Sequence, residues 1–249
     1  MTDDFDLGNC IPGCSICHGY GFIPISEADL DITHPDYGRL RACPNFYKAH
    51  WPHDIGISQE EASKLNLKKL VKTPLVRLCG DYLNEILKNK SGMLYIYGSV
   101  GIGKTVLLKA TMLWAMYKLG ISPVHYATHA IMMDRLRSSF GDRNQSNLYN
   151  QNLDYYAELP VFVIDEVGRD KDSEFSIASF GKIIDRRYNL AKDGKAITLL
   201  GSNFKPEDIL DNYLVDRLRD ATNYVVSAQF ESLRRTDISL VSSSDWWKE

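Results

Sequence analysis

Residues 95–108 read YIYGSVGIGKTVLL, an apolar strand-like run interrupted by three glycines and resumed as a helix-like one. The pattern G-x-x-x-x-G-K-T demands a sharply curled backbone. Gly98, Gly101 and Gly103 carry no Cβ, so successive N–H groups can turn toward one anion. Ser99, Val100 and Ile102 stand between them in the same cradle. A helix that starts where the loop ends adds the positive end of its dipole. Lys104 would then reach the β- and γ-phosphates of ATP, and the Thr105 hydroxyl would ligate Mg²⁺. Such a loop works only between a strand and a helix, so an α/β fold is expected.

The rest of the chain repeats that alternation. Strands are expected at MLYIY (93–97), PVHYA (123–127), PVFVID (160–165), AITLLGS (196–202) and NYVVSA (223–228). Helices fit at roughly 103–119, 128–140, 174–192, 206–211 and 213–220. Alternating β and α implies a parallel sheet covered by helices on both faces. The polar stretch SSFGDRNQSNLYNQNLD (138–154) reads as a loop.

Two further strand ends carry chemistry. PVFVIDEVG places Asp165 and Glu166 at the carboxyl end of a buried strand, where ligands of open α/β sheets bind. Asp165 would hold Mg²⁺ through its water shell, and Glu166 would act as general base toward the attacking water. AITLLGSNF ends in Ser202-Asn203, and the Asn203 amide can orient that water without titrating. Taken singly, a strand-end acid pair or a Ser-Asn turn is ordinary surface chemistry; together with the loop they form one site.

Residues 1–57 differ in kind, being rich in Gly, Pro, His and Cys with no sustained period. Four of the chain's five cysteines lie at or before position 43. MTDDFD has no basic segment followed by an apolar run, and no stretch approaches the roughly 18 apolar residues of a membrane span. A cytoplasmic location is expected, with no membrane partner. In a reducing compartment clustered cysteines favour metal over disulfides. Cys14 and Cys17 in CSIC form half of a zinc knuckle, and Cys43 returns after an excursion. The fourth ligand is open: Cys10 is the first choice, with His34 and His50 as alternatives. The metal would be structural Zn²⁺, stapling a module with little apolar core. Beyond it, Ser58 with Glu61 suggests a capping box and Thr73-Pro74 a second helix start. The organisation expected is a zinc-binding adapter (1–57), a helical linker (58–92), the core (93–235) and a tail (236–249). The net charge of −3 gives no overall basic field, so any nucleic-acid contact must be local.

GSVGIGKT, VIDEVG, LLGSN, and LVDRLRD followed by a strand and FESLRR resemble the AAA+ ATPases of the replicative helicase loader group (DnaC/DnaI type). The ATPase helpers of some transposases (IstB type) share this core. The resemblance covers about residues 58–235. It implies an AAA+ (ASCE-type) P-loop NTPase core with a five-stranded parallel sheet and no separate C-terminal lid domain. It further implies ATP at a subunit interface, hence self-association, with a hexameric replicative helicase and single-stranded DNA as partners. Arg217 matches the family's trans-acting arginine, with Arg219 in reserve; otherwise these arginines pair with Asp216 and Asp220 on an exposed helix. Arg135, Arg137 and Arg143 beside Tyr149, Tyr155 and Tyr156 would make either a DNA-stacking surface or a solvated helix face. Arg186 and Arg187 would face a neighbour or solvent. A role for Arg234 or Arg235 at the nucleotide stays open. Trp246-Trp247 is a packing latch or a partner contact. A cysteine-bearing front module resembles loaders more than transposition helpers.

Overall fold

The computed structural model describes residues 10, 13–25, 37–38, 40–49, 51–65, 73–139, 146–169, 173–220 and 223–233. His34, His50, Arg143, Arg234, Arg235, Trp246 and Trp247 lie outside the described residues. Five strands form one wholly parallel sheet: β3 (Gly92–Gly98), β4 (Val124–Thr128), β5 (Val161–Val167), β6 (Ile197–Ser202) and β7 (Asn223–Ala228), in spatial order β4-β5-β6-β3-β7. The sheet is the one expected, each strand within two residues of its predicted bounds.

Side-chain alternation along each strand separates two cores. Leu94, Ile96, Val161, Val163, Ile197 and Leu199 face one layer, with α3 (Pro74–Asn89) and α4 (Lys104–Leu119). Met93, Tyr95, Phe162, Ile164 and Leu200 face the other. That second layer is built by α5 (His129–Ser138), α6 (Ser146–Glu158), α7 (Glu174–Lys192) and α9 (Asn212–Leu218), the last preceded by the short α8 (Pro206–Ile209). Among the described residues, no helix is long and apolar enough to cross a membrane.

The polar loop expected over 138–154 is corrected by α6, which occupies Ser146–Glu158. Tyr149, Leu153, Tyr156 and Ala157 are buried at helical spacing, so the tyrosine rings supply an apolar stripe among Asn and Gln. This also removes Tyr149 and Tyr156 from any exposed stacking surface. Arg135 donates to Asn152 Oδ1 at 3.1 Å and lies over the rings of Tyr155 and Tyr156. Arg137 pairs with Asp134 at 2.8 Å. Arg186 pairs with Asp154.

Arg187 overturns a surface role outright. It is 0% exposed and donates to the carbonyls of Tyr156, Ala157, Leu159 and Ile197 and to Thr198 Oγ1. It thereby closes the carboxyl end of α6 onto β6. Burial lowers its pKa to about 9, still above neutrality.

The front of the chain holds β1 (Phe22–Pro24) and β2 (Leu40–Ala42), an antiparallel pair, followed by α1 (Phe46–Ala49), a 3-10 turn at His53–Ile55 and α2 (Gln59–Lys64). It packs directly on the core: Tyr47 meets Tyr117 of α4 edge-to-face at 5.2 Å, and Arg41 donates to the Tyr117 carbonyl. Ser58 and Thr73 cap their helices, accepting from Glu61 N and Val76 N. The Glu61 carboxylate pairs with Lys109 of α4. On α3, Cys79 joins the buried stripe, whereas Leu78 and Tyr82 sit at its exposed margin.

Candidate active site at the strand ends and a buried cysteine cluster

The loop from Gly98 to Gly103 joins β3 to α4. At Gly98 (φ 143°) a Cβ would stand 1.8 Å from the Ala228 carbonyl oxygen, so no other residue fits beside β7. The loop is also tied to the segment after β7: Ser99 Oγ donates to Gln229, and Leu233 N donates to Gly101 O at 3.0 Å.

Lys104 brings the strand ends together. Its Nζ donates to Gly98 O (2.9 Å), Ser99 O (2.8 Å) and Asn203 Oδ1 (3.0 Å), which uses all three ammonium hydrogens. Burial lowers its pKa, opposed by the nearby Asp165 charge. Thr105 Oγ1 donates to Asp165 Oδ2 at 2.6 Å. Thus the loop, Asp165 and Asn203 form one hydrogen-bonded group.

Asp165 and Glu166 sit at an irregularity of the β5–β6 pairing between Ile164 and Val167. Glu166 has φ 57°, an uncommon backbone state for a side chain of its kind. Such bulges re-aim side chains beside active sites. Glu166 N donates to Asp165 Oδ1, while the Glu166 carboxylate pairs with Arg169 at 2.5 Å. Ser202 Oγ donates to Val167 O and accepts from Phe204 N, fixing the turn that carries Asn203.

Three contributors to this geometry escape motif reading. A Cβ at Gly201 would lie 2.4 Å from Asp165 Oδ1, so this glycine leaves room for the carboxylate. Arg169 holds Glu166, and its place three residues later was the available signal. Tyr126 donates to Asp165 Oδ2 at 3.2 Å from the neighbouring strand.

Arg217 makes its contacts elsewhere. Its guanidinium lies between the rings of Tyr188 (4.2 Å) and Tyr213 (4.7 Å) and faces Asp185 at 3.4 Å. Arg219 pairs with Glu207.

In the front module Cys10, Cys14, Cys17 and Cys43 are all buried, with their sulfurs within 4.8 Å of one another. Cys14 and Cys43 sulfurs are 3.7 Å apart, far beyond a disulfide bond, and all four are free thiols. Gly21 N and Asn45 Nδ2 each donate to a sulfur at 3.3 Å. Burial pushes the Cys10 and Cys43 thiols up, the latter to about 11. Burial also raises Cys14, but N–H donation from Cys17, Asn45 and Ile16 outweighs it and brings the thiol to about 6.

A phosphate loop, a strand-end acid pair and an asparagine converging on a five-stranded parallel sheet define an AAA+ ATPase. The chain belongs to the bacterial DnaA ATPase domain family, whose model matches residues 79–228. Among solved structures, the replication initiator DnaA bound to AMPPCP and single-stranded DNA is 24% identical with TM-score 0.55, covering 68% of this chain and 50% of that one. AMPPCP-bound DnaA from Aquifex aeolicus is 24% identical with TM-score 0.53, covering 69% and 52%. DnaI is 19% identical with TM-score 0.51, covering 69% and 95%. The chain therefore spans about half the length of these DnaA structures. No curated protein matches it.

Proposed function

We propose that this ATPase is a cytoplasmic helicase loader, delivering a hexameric replicative helicase onto single-stranded DNA under the control of ATP. The observation that carries the reading is the combination of an assembled nucleotide site with a cysteine-bearing module packed on the phosphate-loop helix. Likeness to DnaI over 95% of that chain supports loader rather than initiator. The DnaA structure with single-stranded DNA supports that nucleic acid as the ligand.

In this reading the loop N–H groups and Lys104 hold the phosphates of ATP, and Asn203 orients the attacking water. Glu166, freed from Arg169, takes the proton from that water. Thr105 and Asp165 would hold Mg²⁺, which would supply positive charge against the charge developing on the phosphates. Arg217 would act in trans on a neighbour's γ-phosphate, once drawn from between Tyr188 and Tyr213. Hydrolysis is thereby coupled to self-association.

The four thiols suit one structural Zn²⁺. Zn–S bonds of about 2.3 Å in a tetrahedron set sulfurs about 3.8 Å apart, close to the 3.7 Å between Cys14 and Cys43. Cys10 supplies the fourth ligand of this set, leaving no position open for catalysis. The stapled module would grip the helicase.

The test is reconstitution. Full-length chain, purified host helicase and circular single-stranded DNA should yield DNA-bound helicase only with ATP. Arg217→Ala should bind nucleotide normally yet lose the rise of specific activity with protein concentration. If the chain ignores helicase but activates a transposase, the IstB-type helper reading replaces this one.

A further inference from the structure

Asp165 is 3% exposed and held by three donors: Glu166 N on Oδ1, and Thr105 Oγ1 and Tyr126 OH on Oδ2. When Thr105 turns from the carboxylate toward a metal, Tyr126 remains the side chain that fixes Oδ2 among the described residues. Its place follows from the sheet. Tyr126 pairs in register with Val163, and Val163 and Asp165 share the face that packs on α4. A hydroxyl at the end of the tyrosine ring reaches the carboxylate two positions along. A phenol carries its proton at neutral pH and so acts as a donor to the carboxylate.

The same ring has a second attachment. Lys109 Nζ lies 4.0 Å from its centroid and pairs with Glu61 Oε1 at 2.5 Å. Lys109 is buried on α4, whereas Glu61 belongs to α2, the first helix beyond the cysteine module. The intervening segment also presses on β4. A Cβ at Gly56 would stand 1.8 Å from the Tyr126 carbonyl oxygen, and the Asp54 carbonyl contacts His125 Nδ1. Glu61, Lys109, Tyr126, Asp165 and Thr105 thus form one continuous series of contacts.

We propose that Tyr126 is a positioning residue of the ATP site, holding Asp165 in its metal-binding orientation, and that Lys109 and Glu61 couple this hold to the segment joining the cysteine module to the core. The proposal rests on the assignment of Thr105 and Asp165 as Mg²⁺ ligands. Its consequence is that displacement of α2, as when the front module engages a partner, changes the metal requirement of nucleotide binding.

A fluorescent ATP analogue distinguishes this from simple packing. Affinity is measured for the full chain in EDTA, with the metal content of the cysteine module checked as unchanged, and across a Mg²⁺ titration, for wild type, Tyr126→Phe, Lys109→Met and Glu61→Gln. Tyr126→Phe keeps the ring and should raise the Mg²⁺ midpoint by about tenfold, the lower end for loss of an outer-shell partner, with affinity in EDTA unchanged. Lys109→Met and Glu61→Gln should shift the midpoint less, in the same direction. An unchanged midpoint in folded Tyr126→Phe overturns the proposal, as does an equal loss of affinity in EDTA. If Tyr126→Phe fails to fold, unchanged midpoints in both other variants overturn it. A wild-type chain with no Mg²⁺-dependent binding overturns the metal-ligand assignment itself, a separate result from an unresponsive Tyr126→Phe.

Discussion

The nucleotide site and the cysteine module both gather polar groups away from water, but they balance them differently. At the strand ends the lysine, carboxylate, hydroxyl and amide groups satisfy one another: Lys104 has three acceptors and Asp165 three donors. Two layers of apolar side chains hold the strands that carry them. In the module four thiols converge, and among the described residues Ile16, Ile23 and Phe46 are the partly buried apolar side chains packed against them. One site is preformed by the sheet. The other offers four ligand atoms to one cation. Removing a component should therefore have local consequences in the module and distributed ones in the core.

The largest expected effect is metal removal. On the proposed zinc assignment the metal contributes roughly 10 kcal/mol or more to folding of such a module, so a strong chelator or Cys14→Ser should unfold the segments that carry Cys10, Cys14, Cys17 and Cys43. Hydrogen exchange should show this while the core strands stay protected and nucleotide affinity measured without Mg²⁺ persists. Loss of protection across both regions would break the contrast.

Arg187→Met comes next. It leaves four carbonyls and a hydroxyl without their buried donor and should cost about 3–5 kcal/mol, read by urea unfolding. The metal content of the module should not change. A cost below about 1 kcal/mol, within the range of an ordinary surface substitution, would mean that the site's scaffold does not rely on this cation.

These two cases show what could be read in advance. The loop, the acid pair, Asn203 and the cysteines announce themselves because each requires particular residue types at short spacing. Arg187 sits in phase with Ile183, Ile184, Tyr188 and Ala191, all buried on α7, so its phase was the signal. Counting only apolar letters as core hid it. The sequence of α6 reads as a loop for the same reason, since Tyr149, Asn152 and Tyr156 share its buried face with Leu153 and Ala157. Tyr126 and Gly201 were not legible at all, because their roles arise where two strands meet in register.

Gly201→Ala sharpens the comparison at smaller scale. The added methyl collides with Asp165 and with Leu108, a strain of about 1–3 kcal/mol. It should weaken Mg²⁺-dependent nucleotide binding more than binding in EDTA, with no effect on zinc. Equal losses in both conditions would reduce Gly201 to a packing residue.

The smallest effect concerns pH. Burial lowers the pKa of His125, opposed by the Asp54 carbonyl. A depressed folded pKa means stability present above the unfolded value of about 6.5 and lost as pH falls through that value toward the folded one. Melting followed from pH 8 to 5 should therefore fall less steeply for His125→Asn than for wild type. Parallel curves would remove His125 from the acid response.

The most direct test of the central claim is Glu166→Gln. The amide fills the same volume and cannot accept a proton. ATP affinity should equal that of wild type, whereas hydrolysis should fall by about 10²–10⁴-fold, and Lys104→Ala should lose binding itself. Hydrolysis by Glu166→Gln at the wild-type rate in saturating Mg²⁺ would contradict the account.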